Sequence, residues 1–270
     1  MAVALTVSVV VTGLGATADA QTAPVSPADA LRLQLVENRG VTMSEVTTWW
    51  RSGEKNSYRK KTFADFDGGT VAATDVRDVN EPNDSGSPYR YLTFKGQTYG
   101  QGGHWIVPEG KTWVLISEDE ETRPFLESGG IDLANPAALK AVLATTETKR
   151  PGGVYDGTRT TIHQGTITFA ELYKVSPAFR DQHDGKPTGK YAKIKLSWQL
   201  WLGGDHLVRR VRTSWTEWVG KVDGVSISDF NVVDARLTGW GAETDIVLPS
   251  ADEAAGKDDW RNPPEKLSIS

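Results

Sequence analysis

The residues of this 270-residue chain that could do chemistry occur singly or without their usual partners. Of the four histidines, His104, His163, His183 and His206, no two stand at i+2, i+3 or i+4, and no H-E-x-x-H occurs. There is no cysteine. That excludes disulfides, thiolate metal sites, cysteine nucleophiles and acylation of an N-terminal cysteine, and no dedicated zinc site is expected. Ser52-Gly53-Glu54-Lys55 matches the nucleophile tetrapeptide S-x-x-K, yet no S-D-N follows and Lys111-Thr112-Trp113 is not K-T-G. Gly224-Val225-Ser226-Ile227-Ser228 fails G-x-S-x-G at its last position. Glu118-Asp119-Glu120-Glu121 lacks the residue order of a calcium loop and reads as a solvated turn. Gly13-Leu14-Gly15-Ala16-Thr17-Ala18 matches G-x-G-x-x-A, but Pro24 and Pro27 interrupt the helix that a dinucleotide site needs. No catalytic residue, metal ligand or cofactor is assigned from these patterns. Carboxylate pairs of the glycosidase kind stay open, because 35 acidic residues are present and sequence does not show their separation in space.

Composition narrows the class. Hydrophobic residues make up 38% and charged residues 24%, as in a water-soluble globular protein. The net charge of -5 lacks the basic excess of a nucleic-acid binder. Residues 1–16 form an apolar run followed by Ala18-Asp19-Ala20, which makes residues 1–20 read as a signal peptide cut after Ala20, although no Lys or Arg precedes the run. The run is shorter than the roughly 20 residues of a spanning helix. With no linker in the middle and no clear repeat, residues 21–270 read as one domain, with a core over about 26–250 and a tail at 251–270.

The elements that must position any site are mostly strands. From Tyr191 to Leu202, Ala192, Ile194, Leu196, Trp198, Leu200 and Leu202 alternate with polar residues, and only Trp201 breaks the polar face. Gly203-Gly204-Asp205 then turns the chain. Leu207 to Trp218 returns with Val211, Thr213 and Trp215 on one face and Arg210, Arg212 and Ser214 on the other, which predicts a long antiparallel hairpin. Further strands are expected at 46–50, 57–62, 70–76, 89–94, 97–99, 112–116, 154–168 and 225–237. Ser26-Pro27-Ala28-Asp29 starts a helix with Ala28, Leu31 and Leu35 on one face and Gly40 as its terminator. Asn135-Pro136 opens a second helix striped by Leu139, Val142 and Leu143. Thr168-Phe169-Ala170-Glu171 is a capping box, and Ser176-Pro177 begins another short turn. The class is α+β, with helices on one face of a large antiparallel sheet.

Four stretches give the chain a resemblance to the actinobacterial secreted and lipoprotein members of the LolA/LppX/LprG-like group. They are Ser26–Gly40 with the strand carrying Val46 and Trp50, Gly96-Gln97-Thr98-Tyr99 leading to Trp105, Asp156 to Gly165, and Leu200 to Arg210. Together they span roughly residues 26–250. Gln164 stands where that group usually has Tyr, and Gly203 where the hairpin often has Asp. The resemblance implies a half-barrel, one strongly curved antiparallel sheet with a few helices on its concave side. It also implies non-covalent binding of a lipid, glycolipid or lipoprotein in an apolar cavity, without catalysis. Some relatives instead sense lipoproteins or an anti-sigma partner in the envelope. The absent lipobox cysteine implies a soluble exported form with no covalent lipid anchor.

If such a cavity exists, its expected liners are Leu196, Trp198, Leu200, Val211 and Trp215 from the hairpin, with Leu139, Val142 and Leu143 from the second helix. The same residues could equally fill a closed core, since apolar periodicity records packing. Ten tryptophans invite a second reading. Trp49 and Trp50 must face opposite sides of their strand, so an exposed aromatic face could dock a partner. Arg59-Lys60-Lys61 alternates sides in the same way and reads as a solvated face. A hydrolase with carboxylates converging in a cleft is the third reading.

Overall fold

The structure, a computed structural model, describes residues 26–79, 87–103, 105–183, 185–222, 225–257 and 259. The leader and the G-x-G-x-x-A match lie outside the described residues, as do His104, Gly224 and most of the tail.

A short helix, α1 (Pro27–Arg32), leads into a meander of β1 (Arg39–Arg51), β2 (Glu54–Asp67), β3 (Thr70–Asp78), β4 (Ser87–Phe94), β5 (Gln97–Gly103) and β6 (Trp113–Glu118). A small hairpin, β7 (Glu127–Ser128) with β8 (Ile131–Asp132), precedes α2 (Pro136–Ala144). Next come β9 (Thr146–Tyr155), β10 (Thr158–Thr168) and the helices α3 (Phe169–Val175), α4 (Pro177–Asp181) and α5 (Gly189–Ala192). The described elements end with β11 (Lys195–Gly203), β12 (Val208–Val222), β13 (Val225–Ala242) and β14 (Ala254–Ala255).

Twelve of these strands make one curved sheet in the order β14-β6-β5-β4-β3-β2-β1-β13-β12-β11-β10-β9. Its pairs are antiparallel except β14 with β6. The end strands do not meet, so the sheet stays open, and the helices lie against one face. This is the α+β half-barrel expected from the sequence.

Alternation decides which side chains face the helices. On β1, Val41, Met43 and Glu45 point inward, and on β2 Thr62, Ala64 and Phe66 do the same. Val41, Met43, Ala64 and Phe66 join Ala235 and Leu237 of β13 and Leu31 and Leu35 of the N-terminal segment in one apolar cluster. The helices are held by their ends. Asn135 Oδ1 accepts the N–H groups of Ala137 and Ala138, and the Thr168–Glu171 capping box closes in both directions. Among the described residues, no helix is long and apolar enough to cross a membrane.

Three boundaries differ from expectation. The first helix stops at Arg32 rather than Gly40. Gly40 belongs to β1, where a Cβ would sit 2.4 Å from the Ala64 carbonyl oxygen, so strand pairing takes the residue that was to end the helix. The expected single strand over 154–168 is a hairpin, turned by Asp156 and Gly157 at φ 48° and 70°. Its first arm, β9, was hidden because an edge strand carrying Pro151 and successive exposed polar residues shows no alternation. Tyr191 and Ala192 are helical, and β11 starts only at Lys195. The Tyr191 ring packs edge-on to Phe169 at 5.3 Å, and Ala192 leaves the strand's expected apolar row. The S-x-x-K tetrapeptide is a hairpin turn between β1 and β2, with Ser52 and Gly53 at φ 52° and 87°.

Candidate ligand-binding site

The hairpin and α2 residues singled out above do come together. Leu196, Trp198, Leu200, Val211, Leu139 and Val142 are buried members of the main cluster, and Leu143 and Trp215 pack against it half-buried. The Trp198 indole donates to Thr145 Oγ1 at 3.0 Å, which ties β11 to the end of α2. Gly165 of β10 makes this possible. A Cβ there would lie 2.0 Å from the Thr145 carbonyl oxygen and 2.9 Å from the Trp198 ring. Six of the eight are thus packed against their neighbours. Leu143 borders a separate shallow groove with His163 and Lys149, and Trp198 touches a groove with Glu147 and Arg212.

Beside the helices, open space begins at Leu196 and Trp215. They border a pocket of about 450 Å³ between the sheet, the β7–β8 hairpin and helices α3 to α5. Two sheet rows supply its floor. In one, Lys60, Glu45 and Ala235 lie opposite each other on β2, β1 and β13. In the next, Thr47, Val233 and Thr213 do so on β1, β13 and β12. The walls are rings from the helices. Phe169 meets Phe179 at 5.1 Å with the planes 71° apart, and Trp215 stands 6.3 Å from Phe169. His183 stacks on Phe179 at 4.0 Å, and its Nδ1 lies 2.6 Å from the Phe179 carbonyl oxygen.

The hairpin tip closes the pocket's edge. Gly129 and Gly130 turn at φ 54° and 89°, and a Cβ on Gly129 would come 1.9 Å from Thr213 Oγ1. Only glycines fit a tip that both turns left-handed and lies on the sheet. Beside it Glu127 accepts the Gly130 N–H on Oε1 and the Gln182 amide on Oε2, the latter at 2.9 Å.

Several charges share this space. Lys60 pairs with Glu45 Oε1 at 3.0 Å. Burial disfavours the Lys60 ammonium, but the charges of Glu45 and Glu127 more than offset it and hold its pKa above the ordinary lysine value. Lost hydration pushes Glu127 up, with Lys60 opposing. Asp132, its partner across the hairpin, is pushed to about 7, first by burial and against the pull of the Ala134 N–H. Tyr191 is raised to about 12 by burial and by the neighbouring Glu217. The Trp215 indole donates to Glu217 Oε2 at 3.2 Å. Among the described residues, no group of three or more His, Asp or Glu side chains is arranged to hold a metal ion.

Sequence reasoning placed two of the pocket's residues and missed the others. Lys60 sat in a basic run read as solvated, but it pairs with the buried Glu45 and borders this pocket as well as the groove that Arg59 and Lys61 border. Gly129-Gly130 between short runs was a legible hairpin signal that went unused. Phe169 lay inside the capping box that was recognised, so its helix was expected but its inward ring was not.

No family model matches the chain, and a comparison with curated proteins finds no match. Among solved structures the chain is similar to LprF from Mycobacterium bovis, with 16% identity and a TM-score of 0.44 over 83% of this chain and 97% of that one. It is also similar to the LolA superfamily protein NE2245 from Nitrosomonas europaea, with 12% identity and a TM-score of 0.29 over 82% and 94% of the two chains. A third is the complex of MucA and MucB from Pseudomonas aeruginosa, at 12% identity and a TM-score of 0.33 over 84% of this chain and 62% of that one. What the pocket can hold is set by its own residues.

Proposed function

We propose that this is a non-enzymatic, exported binding protein that holds the acyl chain of a lipid, glycolipid or lipoprotein between sheet and helices. The observation that carries this reading is the open, ring-walled pocket of about 450 Å³ beside Leu196 and Trp215. Its volume falls in the range of small-molecule sites, roughly 300–1,000 Å³. Each methylene withdrawn from water contributes roughly 0.8 kcal/mol, so about ten contribute on the order of 8 kcal/mol before ordering costs. Leu196 and Trp215 are the first contacts. Trp198, Leu200, Val211, Leu139, Val142 and Leu143 continue the apolar layer behind them. Export rests on the leader at residues 1–20.

Native mass spectrometry of protein from its own host tests the reading. A co-purified hydrocarbon-bearing mass is expected, and stripped protein should take it up again. Trp215→Ala should weaken that uptake. Protein that arrives empty and takes up no acyl compound would overturn the proposal.

A second reading, an envelope sensor that docks a partner, is favoured by the opposite face. There Trp50 lies 5.5 Å from Phe230, which is 45% exposed, beside a groove of about 610 Å³ bordered by Val46, Val232, Arg212 and Arg236. Capture of one specific envelope protein, lost in Trp50→Asp, is its expected signature.

A further inference from the structure

We infer that the concave pocket selects amphiphiles whose head group is an ammonium cation. This rests on the acyl-binding reading above and adds the chemistry of the ligand's polar end.

Glu45 points to it first. The residue is 5% exposed, at the centre of the sheet, and it borders the pocket. Both of its neighbours use the same oxygen: Lys60 Nζ lies 3.0 Å from Oε1, and the Thr47 hydroxyl donates to Oε1 at 3.3 Å. Oε2 is buried with no hydrogen-bond partner among the described residues. A carboxylate oxygen left without a donor costs free energy that a donor brought by the ligand recovers.

The balance of charge points the same way. Glu45, Glu127 and Glu217 border the pocket with one lysine, Lys60. A phosphate or carboxylate entering here would lie against carboxylates and be repelled. A cation would be attracted, more strongly than in open water because the walls exclude solvent.

The rings supply the third reason. Phe169, Phe179, Tyr191 and Trp215 surround the same space, with Tyr191 and Phe179 both steeply inclined to Phe169, at 85° and 71°. Ring faces attract cations, and quaternary ammonium groups are held in such aromatic enclosures. Carboxylates on the floor and rings on the walls together fit an ammonium head whose tail runs past Leu196.

Three dodecyl amphiphiles below their micellar concentrations test this by calorimetry: dodecylammonium, whose N–H groups can reach Glu45 Oε2, dodecyl maltoside and dodecyl sulfate. The cation should bind about tenfold or more tighter than the maltoside, with the sulfate weakest. In Glu217→Gln, at a half-buried position that tolerates the change, the cation-to-maltoside affinity ratio should fall several-fold. Glu45→Gln should lower it further. Equal affinities for all three, or a ratio unmoved by Glu217→Gln, would overturn the head-group inference while leaving the acyl site standing. Failure of all three to bind would remove the acyl site itself.

Discussion

At the scale of single residues, the pocket depends on groups that are awkward anywhere else. Gly129 has a left-handed backbone and no room for a methyl group against Thr213 and Val233. Gly129→Ala should therefore destabilise the protein by about 2–3 kcal/mol, read from urea unfolding, because strain and steric conflict add. Asp132 carries a pH signature. Burial raises its folded pKa from 3.8 to about 7, so folding favours the protonated acid. Its contribution is fully present below pH about 4 and is lost as the pH climbs through about 7. Unfolding free energy should decline over that window in the parent, and Asp132→Asn should flatten the decline. Parallel profiles for parent and variant would show that Asp132 is not the group responsible.

At the scale of elements, the three short helices between β10 and β11 carry the rings that wall the site. None exceeds seven residues, so α3 and α4 rely on their side-chain caps and on the buried rings of Phe169 and Phe179, while α5 has neither a side-chain cap nor a buried residue. Thr168→Ala removes the reciprocal cap of α3 and should cost about 1 kcal/mol. Faster amide exchange confined to α3 and its neighbours would show the cap's local reach. The element scale is also where the sequence was most and least readable. Alternation from Leu196 to Leu202 and back through Trp215 named the central hairpin, because a strand with one wet and one dry face writes its period directly. β9 wrote nothing comparable, since its residues 147–151 are all exposed. The pocket was half legible for a related reason. Leu196 and Trp215 belong to that periodic hairpin, whereas Glu45 meets Lys60 through the register of β1 with β2, and Glu127 joins them from a separate hairpin far along the chain. Pattern along the chain carries burial, but it does not carry which buried acid stands beside which distant base.

At the scale of the whole molecule, an open sheet of twelve strands must protect two edges. The β9 edge does so with Glu147, Lys149 and Arg150 and with Pro151, which has no N–H to donate. Replacing Lys149, Arg150 and Pro151 together by valine should make the protein self-associate, seen as a larger species by light scattering after gel filtration. A triple variant that elutes with its parent would mean that this edge is guarded in another way.

The β6 edge is guarded differently, by the late strand β14 laid parallel along Trp113 and Val114. On the ribosome, where about 5–20 residues are added each second, β6 emerges on the order of ten seconds before Ala254 is made. A sheet that forms before β14 docks therefore carries one more unsealed border than the finished one.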